Sequence, residues 1–198
     1  MIEREELHTE RLLLRPFGET DAGDVQRLAG DPDISKTTLH VPYPYEDGMA
    51  EAWISTHGEA AVAGTNVVYA SVRAEDDALV GSINCAIDSR HRRGELGYWV
   101  GKPFWGQGYG TEAASALLDF CFERLNLNRV HAHYLAGNPG SGRVMEKIGM
   151  QYEGTLREHI EKDGKLFDLV VYGILRSEWE KIKGGNHTSA ALGAGDGH

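Results

Sequence analysis

The chain is poor in the features that mark disulfide-bonded, membrane-spanning and secreted proteins. Its 198 residues include only two cysteines, Cys85 and Cys121, too few for a disulfide framework or a cysteine-based zinc site. No apolar run approaches the roughly 18 residues that a membrane span requires, and the segment Met1 to Glu6 is too charged for a secretory signal. We therefore expect a cytoplasmic protein without a membrane partner, and we expect both cysteines to fill core space.

Positive charge is also in the minority. The sequence has 20 Lys and Arg residues against 30 Asp and Glu residues, a net charge of −10. This balance disfavours nucleic-acid backbones as direct partners and favours cationic ones such as amines. Adaptation to a saline cytosol gives the same balance, so composition alone leaves both explanations open.

Length and composition fit one domain with a continuous core. A chain of 198 residues with 41% hydrophobic content lies within the usual size of a single domain. We predict a domain over 1–183. The segment 184–198 is rich in glycine and small residues and has too little apolar surface to offset chain entropy, so we predict that it is disordered.

The most informative segment is rich in glycine and runs from Glu95 to Ala113. It has the pattern of a strand, a turn and the start of a helix. Gly106, Gly108 and Gly110 remove side chains where a ligand can approach the backbone, and the first amides of the helix lack intrahelical partners. The positive end of the helix dipole also lies there, so the segment predicts an anion site. A turn with a purely structural role is the alternative.

Two other phosphate-binding motifs fit this segment poorly. It has no Gly-Lys-Ser/Thr ending for a nucleoside triphosphate, and Thr111 stands where a dinucleotide motif needs its third glycine. The helix that follows is nevertheless well supported. Its apolar residues recur at helical spacing, namely Ala114, Leu117, Leu118, Cys121 and Leu125.

The remaining pattern predicts a mixed α/β fold. Helices are expected over 21–29, 45–61, 141–148 and 176–182, with a rigid proline-containing loop between the first two. Strands are expected over 12–15, 66–73, 79–88, 129–135, 152–161 and 165–175, together with the strand that begins at Glu95. Asp163-Gly164 predicts a tight turn between the last two strands.

Three sequence blocks carry a family resemblance. They are Gly97-Tyr98-Trp99 running into Trp105-Gly106-Gln107-Gly108-Tyr109-Gly110-Thr111-Glu112-Ala113, the block from Asn138 to Met150, and the opening from His8 to Pro16. In order and spacing they resemble GNAT-type N-acetyltransferases, and more narrowly the RimJ/RimL-like branch that acetylates ribosomal-protein N-termini. The resemblance covers about Thr9 to Trp179. Trp105 departs from the Arg or Gln common in the superfamily, which leaves phosphate binding to backbone amides.

The resemblance implies a fold and a cosubstrate. The fold is the GNAT acyl-CoA N-acyltransferase fold, with a mostly antiparallel sheet of about seven strands and flanking helices. The cosubstrate is acetyl-CoA, and the implied chemistry needs no metal. The implied cofactor-binding residues are Gln107, Gly108, Tyr109, Gly110 and Thr111 at the diphosphate, and Tyr98, Val100 and Asn138 along the pantetheine arm. Asn138 as a helix cap is the alternative.

Two residues are expected to transfer protons. We hypothesise that Glu95, with a pKa raised by partial desolvation, is the base, and that Ser141 protonates the leaving thiolate. An ion pair of Glu95 with Arg92 or Arg93 and a helix-capping role for Ser141 are the alternatives. Tyr134 is a second candidate donor.

Other titratable residues complicate the choice of base. Some members of the branch have a carboxylate where this chain has Ile160, so a base among the neighbouring Glu158 to Glu161 is also possible. His131 and His133 alternate on a strand and therefore share one face. We interpret them as a packed pair, since further zinc ligands are not evident.

The predicted function is transfer of an acetyl group from acetyl-CoA to a primary amine without a covalent enzyme intermediate. The resemblance favours the N-terminus of a ribosomal or other protein as the acceptor. A small amine, such as an amino acid, a polyamine or an antibiotic, remains open, and so does a non-catalytic acyl-CoA sensor. Homodimers are common in the family, so a homodimer is possible here.

Overall fold

The computed structural model describes residues 1–191, with side-chain surroundings through residue 185, and these residues form one mixed sheet covered by helices on both faces. The strands are β1 (Leu7–His8), β2 (Leu12–Arg15), β3 (Asn66–Arg73), β4 (Leu79–Asp88), β5 (Arg93–Val100), β6 (Arg129–Leu135), β7 (Gln151–Lys162) and β8 (Lys165–Leu175). The helices are α1 (Ala22–Ala29), α2 (Pro32–Thr37), α3 (Met49–Ala63), α4 (Tyr109–Glu123), α5 (Pro139–Lys147) and α6 (Arg176–Ala191). The predicted mixed α/β class is confirmed.

The sheet has eight strands, in the order β1-β2-β3-β4-β5-β6-β8-β7. The prediction was about seven, and the additional strand is the two-residue β1 at one edge. Within the described chain all neighbouring strands are antiparallel except β5 and β6. The mostly antiparallel character of the sheet is therefore also confirmed.

The parallel pair separates partway along its length. β5 pairs with β6 only from Arg93, opposite Arg129, to Leu96, opposite Ala132. Beyond Leu96, β5 continues to Val100 alongside β4 alone. The sheet is thus split between β5 and β6, and the split opens toward the carboxyl ends of both strands.

Alternating side chains of β3 divide the core between the two faces of the sheet. Val67 and Tyr69 belong to the cluster that contains the buried face of α4. Ala70 and Val72 belong to the cluster formed with α1 and α3. This is the period-two pattern of a strand buried on both sides.

Both cysteines lie in the core. Cys85 on β4 and Cys121 on α4 are fully buried and free. Both belong to the cluster under α4. Their predicted role as core-filling residues is confirmed.

The predicted proline-containing loop between α1 and α3 includes a short helix, α2. Asp31 is its N-cap and accepts a hydrogen bond from the amide of Asp33 at 2.8 Å. Pro32 occupies the first helical turn, where its missing N–H is not needed. Asp31 followed by Pro32 is a sequence signal for the start of a helix. The prediction of a continuous loop was wrong because it treated the prolines as loop-forming residues alone.

The last helix extends further than predicted. α6 runs to Ala191, so the backbone of residues 184–191, expected to be disordered, is helical. The rest of the predicted tail, 192–198, lies outside the described residues. None of the helices described is both long and apolar enough to cross a membrane.

Helix α4 is the main apolar support of the sheet, and this can be tested with one residue. Leu117 is 0% exposed and lies at the centre of the α4 cluster. We expect Leu117→Ala to lower the free energy of unfolding by about 3 kcal/mol, because a buried leucine leaves a cavity. Leu166→Ala, at a side chain that is 56% exposed, should change it by less than about 0.5 kcal/mol. Urea unfolding measures both, and equal effects would contradict this account of the core.

Candidate active site

The split in the sheet exposes backbone groups at the end of β5. The Gly101 amide, directly after β5, donates to the carbonyl of Val80 in β4 at 2.8 Å. Because backbone groups alternate sides along a strand, the amide and carbonyl of Val100 point the other way, into the split. The Val100 carbonyl accepts from the Trp105 indole Nε1 at 2.6 Å. This bond fixes the ring of Trp105 at the edge of the split.

A first cavity of about 410 Å³ occupies this region. Its walls come from the end of β5, the glycine-rich loop, the first turn of α4 and the start of α5. The sequence-predicted residues that line it are Tyr98, Val100, Gly108, Tyr109, Gly110, Thr111, Asn138 and Ser141. Gln107 does not line it, since the Gln107 side chain donates to the Pro103 carbonyl at 2.9 Å.

The loop before α4 has a backbone that requires glycine. Gly106 and Gly108 have φ values of 74° and 87°, in the left-handed region. The amide of Glu112 makes the bond that closes the first turn of α4, to the Gly108 carbonyl at 3.1 Å. The preceding amides, 109–111, therefore lie at the positive end of the helix dipole, on the wall of the cavity. This arrangement is suited to a phosphate group.

Glu112 links the start of α4 to the turn between β1 and β2. Its carboxylate accepts hydrogen bonds from the Thr9 hydroxyl at 2.6 Å, the Arg11 amide at 2.7 Å and Arg11 Nε at 2.8 Å. Arg11 also donates to the Gln107 carbonyl at 3.0 Å. Burial opposes ionisation, but these hydrogen bonds hold the pKa of Glu112 below its usual value. Sequence analysis gave Glu112 no role, and only its place beside the loop pointed to one.

Basic side chains reach the first cavity from α5. Arg143 and Lys147 line it. Lys102, by contrast, pairs with Asp33 at 2.6 Å, and hydrogen bonds from Lys102 and Lys36 lower the pKa of Asp33 to about 2. Lys102 therefore serves the contact between α2 and the loop, while α5 supplies the cations of the cavity.

A second cavity, of about 530 Å³, adjoins the first across the split. Five residues line both cavities, namely Thr37, Thr38, Tyr98, Trp99 and Ser141. The two cavities therefore meet at the side chains of Tyr98 and Ser141. A molecule held in one cavity can meet a molecule held in the other at this junction.

Tyr98 and Ser141 are joined by a hydrogen bond at the junction. The Tyr98 hydroxyl lies 3.1 Å from Ser141 Oγ and 3.2 Å from the Ser141 carbonyl oxygen, and it donates toward both. Burial raises the pKa of Tyr98 to about 12, so the phenol keeps its proton at neutral pH. Since Ser141 Oγ accepts from Tyr98, its own proton is free for donation.

Asn138 has the capping role that was its alternative interpretation, and it also lines the first cavity. Its side-chain oxygen accepts from the Ser141 amide at 3.3 Å, and its side-chain nitrogen donates to the Thr37 carbonyl at 3.2 Å. It thereby joins the start of α5 to the end of α2. The capping contact also positions the Ser141 hydroxyl, so capping and a place at the junction coexist.

Glu95 lies on the floor of the second cavity between two histidines. Its carboxylate is 3.3 Å from His131 Nε2 and 3.6 Å from His133 Nδ1. The hydrogen bond from His131 and the nearby imidazoles hold the pKa of Glu95 below its usual value, against the effect of burial. The predicted raised pKa is therefore wrong, and Glu95 is a carboxylate at neutral pH.

The alternative interpretation of Glu95, an ion pair with a neighbouring arginine, is not what the structure contains. Arg93 pairs with Asp88 at 3.1 Å. Arg92 donates to the backbone oxygen of Asn126 at 3.0 Å. Glu95 is therefore left to interact with the histidines of β6.

His133 is the titratable residue of the second cavity that sequence analysis set aside. Burial lowers its pKa, the Glu95 carboxylate raises it in part, and His131, His40 and His159 lower it further. His133 is consequently neutral near pH 7 and able to accept a proton. In the sequence, only the alternation of His131 and His133 indicated that these two residues share a face. The structure adds the parallel pairing that sets Glu95 opposite His131. The alternative bases within 158–161 line neither cavity.

In the described part of the chain, no group of three or more His, Cys, Asp or Glu side chains is arranged to hold a metal ion. The site consists instead of an anion-binding helix start, a hydroxyl pair and a neutral imidazole beside a carboxylate. This set of groups can bind a phosphorylated donor, accept a proton on one side of the junction and return a proton on the other.

The geometry and the sequence define an acyl-group transferase of one family. Residues 11–151 match the family described as Acetyltransferase (GNAT) domain. The chain therefore belongs to the GNAT acetyltransferase family, and it is an acetyltransferase. The predicted fold family and enzyme class are confirmed.

Individual relatives agree with this assignment. An uncharacterised N-acetyltransferase, p20 of Bacillus licheniformis, is 30% identical over 88% of this chain and 98% of its own length. The putative ribosomal N-acetyltransferase YdaF of Bacillus subtilis is 41% identical over 54% of this chain and 60% of its own length.

Solved structures share the fold. A GNAT-family acetyltransferase from Bacillus anthracis superposes with a TM-score of 0.78, at 29% identity, over 88% of this chain and 100% of that one. The ribosomal L7/L12 acetyltransferase RimL, solved with coenzyme A, superposes with a TM-score of 0.80 over 86% of this chain and 98% of that one. At 18% identity, RimL is similar in fold alone.

The coupling between Glu95 and His133 predicts a shift that is measurable without any substrate. Because the Glu95 carboxylate raises the pKa of His133, Glu95→Gln should lower that pKa further. Titration of the imidazole C–H signals by NMR measures the change. Asp76→Asn, at a carboxylate paired with Arg73, is the matched control and should leave His133 unchanged. An unchanged or higher His133 pKa in Glu95→Gln would contradict the contact.

Proposed function

We propose that this acetyltransferase moves the acetyl group of acetyl-CoA directly to a primary amine, and that the amine is the N-terminus of a protein or peptide in the cytoplasm. The observation that carries the proposal is the meeting of two cavities at Tyr98 and Ser141. The first has the features of a donor site, and the second has a base for an amine.

The first cavity fits coenzyme A by its charge and shape. Amides 109–111 of α4 are suited to the diphosphate. Arg143 and Lys147 supply cations on the same wall. The backbone of Tyr98 and Val100 faces the split and can pair with the amides of an extended pantetheine arm, as a further strand pairs with a sheet edge. The thioester then lies toward the junction.

On the acceptor side, His133 takes a proton from the ammonium or from the attacking nitrogen. It is neutral near pH 7, and its Nδ1 faces the Glu95 carboxylate, which stabilises the imidazolium that forms. The neutral amine attacks the thioester carbon, and a C–N bond forms as the C–S bond breaks. We therefore assign to Glu95 the role of orienting His133 and stabilising its charged form, in place of its expected role as the base.

On the donor side, Ser141 gives its proton to the departing sulfur. Tyr98 then gives its phenolic proton to Ser141 through the hydrogen bond at 3.1 Å, and the phenolate regains a proton from solvent when the products leave. Because burial raises the pKa of Tyr98 to about 12, the phenol is protonated again before the next turnover. Tyr134 lines the second cavity but not the first, so it is the less suitable donor to the thiolate.

The peptide acceptor is supported by relatives. The name of YdaF, putative ribosomal N-acetyltransferase, describes a protein with 41% identity to part of this chain. A peptide N-terminus also suits a cavity with an opening to solvent, because the rest of the peptide can extend outward. The discriminating experiment is release of free thiol from acetyl-CoA with a panel of peptides and small amines. Tight acetyl-CoA binding with no turnover of any amine would instead favour a non-catalytic sensor.

The loop geometry predicts how a methyl group affects coenzyme A binding. Gly108 has a φ of 87°, and an added Cβ would approach Arg11 Nη2 at 3.3 Å. A non-glycine residue in this conformation costs roughly 1–2 kcal/mol, so Gly108→Ala should weaken coenzyme A binding about tenfold. Isothermal titration calorimetry measures the affinity.

A matched substitution controls for the effect of any added methyl group. Gly58 on α3 has open space around it, so Gly58→Ala should leave affinity unchanged and stabilise the helix by about 1 kcal/mol. Equal affinity of the Gly108 variant and the parent would argue against this loop as the diphosphate site.

The proton-transfer groups predict losses in rate without losses in binding. We expect Ser141→Ala and His133→Gln each to lower kcat about 100-fold, the lower end of acid–base contributions, with coenzyme A affinity within about twofold of the parent. Glu95→Gln should also lower kcat and move the acidic limb of its pH profile downward, because the pKa of His133 falls. Stopped assays of thiol release across pH test this.

Ser177→Ala, at an exposed serine of α6, controls for the loss of a hydroxyl and should retain full turnover. Undiminished kcat in any one of the three site variants removes that residue from the mechanism.

A further inference from the structure

We propose, on the basis of the function above, that the second cavity selects an amine attached to a bulky apolar or aromatic group and lacking a neighbouring carboxylate, as in a peptide with an N-terminal Phe or Leu. The inference concerns the chemical class of the acceptor. It rests on the walls, the charges and the support of this cavity.

The wall opposite the sheet is apolar and aromatic. Helices α1 and α3 and the segment between α2 and α3 contribute it, with Val25, Pro42, Tyr45, Met49 and Trp53 among its residues. A methyl or hydroxymethyl side chain would leave this wall largely in contact with water. A benzyl or isobutyl group would cover it, and burial of apolar area is favourable by about 25 cal/mol per Å².

Trp53 is held in place from behind. Its ring meets the His57 ring edge-on at 4.4 Å, and it meets the Phe17 ring at 5.1 Å. His57 is only 3% exposed, and burial lowers its pKa to about 4. The support is therefore uncharged at neutral pH, and Trp53 presents a fixed surface to an acceptor.

The charges of the cavity limit the other groups that an acceptor can have. Glu95 is the single carboxylate among the lining residues, and no Lys or Arg is among them. Lys162 contacts the lining residue Thr38 from outside the set of lining residues. Its ammonium donates to the carbonyl oxygens of Ser35 and Thr38, so these bonds already occupy the cation. A free amino acid would set its α-carboxylate near Glu95 without a cation, and a polyamine would bring further ammonium groups without a second carboxylate.

Peptides that differ only in their first residue test the apolar preference. With Phe, Leu, Ala, Ser or Glu in that position, kcat/KM from thiol release should be at least tenfold higher for Phe and Leu than for Ala and Ser, and lowest for Glu. A hydrophobic contact of this size gives discrimination of that order. Equal or higher values for Ala, Ser or Glu would overturn the inference and leave the acetyltransferase proposal standing.

Three small amines test the charge argument. Phenylalanine amide should be acetylated at least tenfold more efficiently than phenylalanine, compared at equal concentrations of the neutral amine so that their different amine pKa values do not matter. Spermidine should be as poor as phenylalanine. Efficient turnover of phenylalanine or of spermidine would overturn the inference. Absence of turnover with every peptide and amine, despite normal acetyl-CoA binding, would defeat the proposed function itself.

A substitution at Trp53 links the preference to this wall. In Trp53→Ala, the ratio of kcat/KM for the Phe and Ala peptides should fall at least fivefold, and Trp53→Leu provides the same comparison if the alanine variant fails to fold. Val62→Ala, on the same helix at a side chain that is 59% exposed, should keep the parental ratio. An unchanged ratio in a folded Trp53 variant would overturn the assignment of the wall.

Discussion

The structure depends on the point at which β5 and β6 stop pairing. They are parallel neighbours only as far as Leu96 and Ala132, and beyond these residues β5 has a partner on one side alone. Backbone groups that a continuous sheet would satisfy internally are instead directed into a gap. Unpaired strand edges in proteins attract other extended backbones. Here the gap is the place where the two cavities meet.

Each side of the gap is built by a different part of the chain. The first cavity begins where β5 ends, because the glycine turn leads directly into α4 and brings its first amides to the wall. The second cavity is made by the sheet floor and by the elements that precede β3. Asn138 connects the two sides, since it caps α5 and also donates to α2. The contact positions Ser141 against a part of the acceptor wall.

The charge arrangement makes the site directional. Glu95 is kept ionised by histidines, His133 is kept neutral by burial, and Tyr98 is kept protonated by burial. A proton can therefore be accepted on the floor of the second cavity and supplied at the junction, at the same pH. Three groups with separated pKa values are suited to such a division of roles.

The conformation of the loop before α4 was predictable because its signal is local. Glycines at 106 and 108, and a helix start directly after them, follow from backbone sterics within a few residues, and so does the turn at Asp163-Gly164, where both residues have positive φ. The pKa of Glu95 was not predictable, because it depends on His131 and His133, more than thirty positions away in the chain. Strand register brings them together. Helix α2 was predictable in part. The sequence contains its Asp31 cap, but the packing of the helix depends on residues elsewhere in the chain.

The measurement that most directly tests the account is an NMR titration of backbone amides with acetyl-CoA. Binding in the split predicts the largest shifts at Tyr98, Val100 and residues 109–111, with little change in the turn of residues 89–92, which precedes β5 at the end of that strand opposite the split. Large shifts confined to those distant positions, with the amides of the split unmoved, would contradict the claim that the gap between β5 and β6 is where the donor binds.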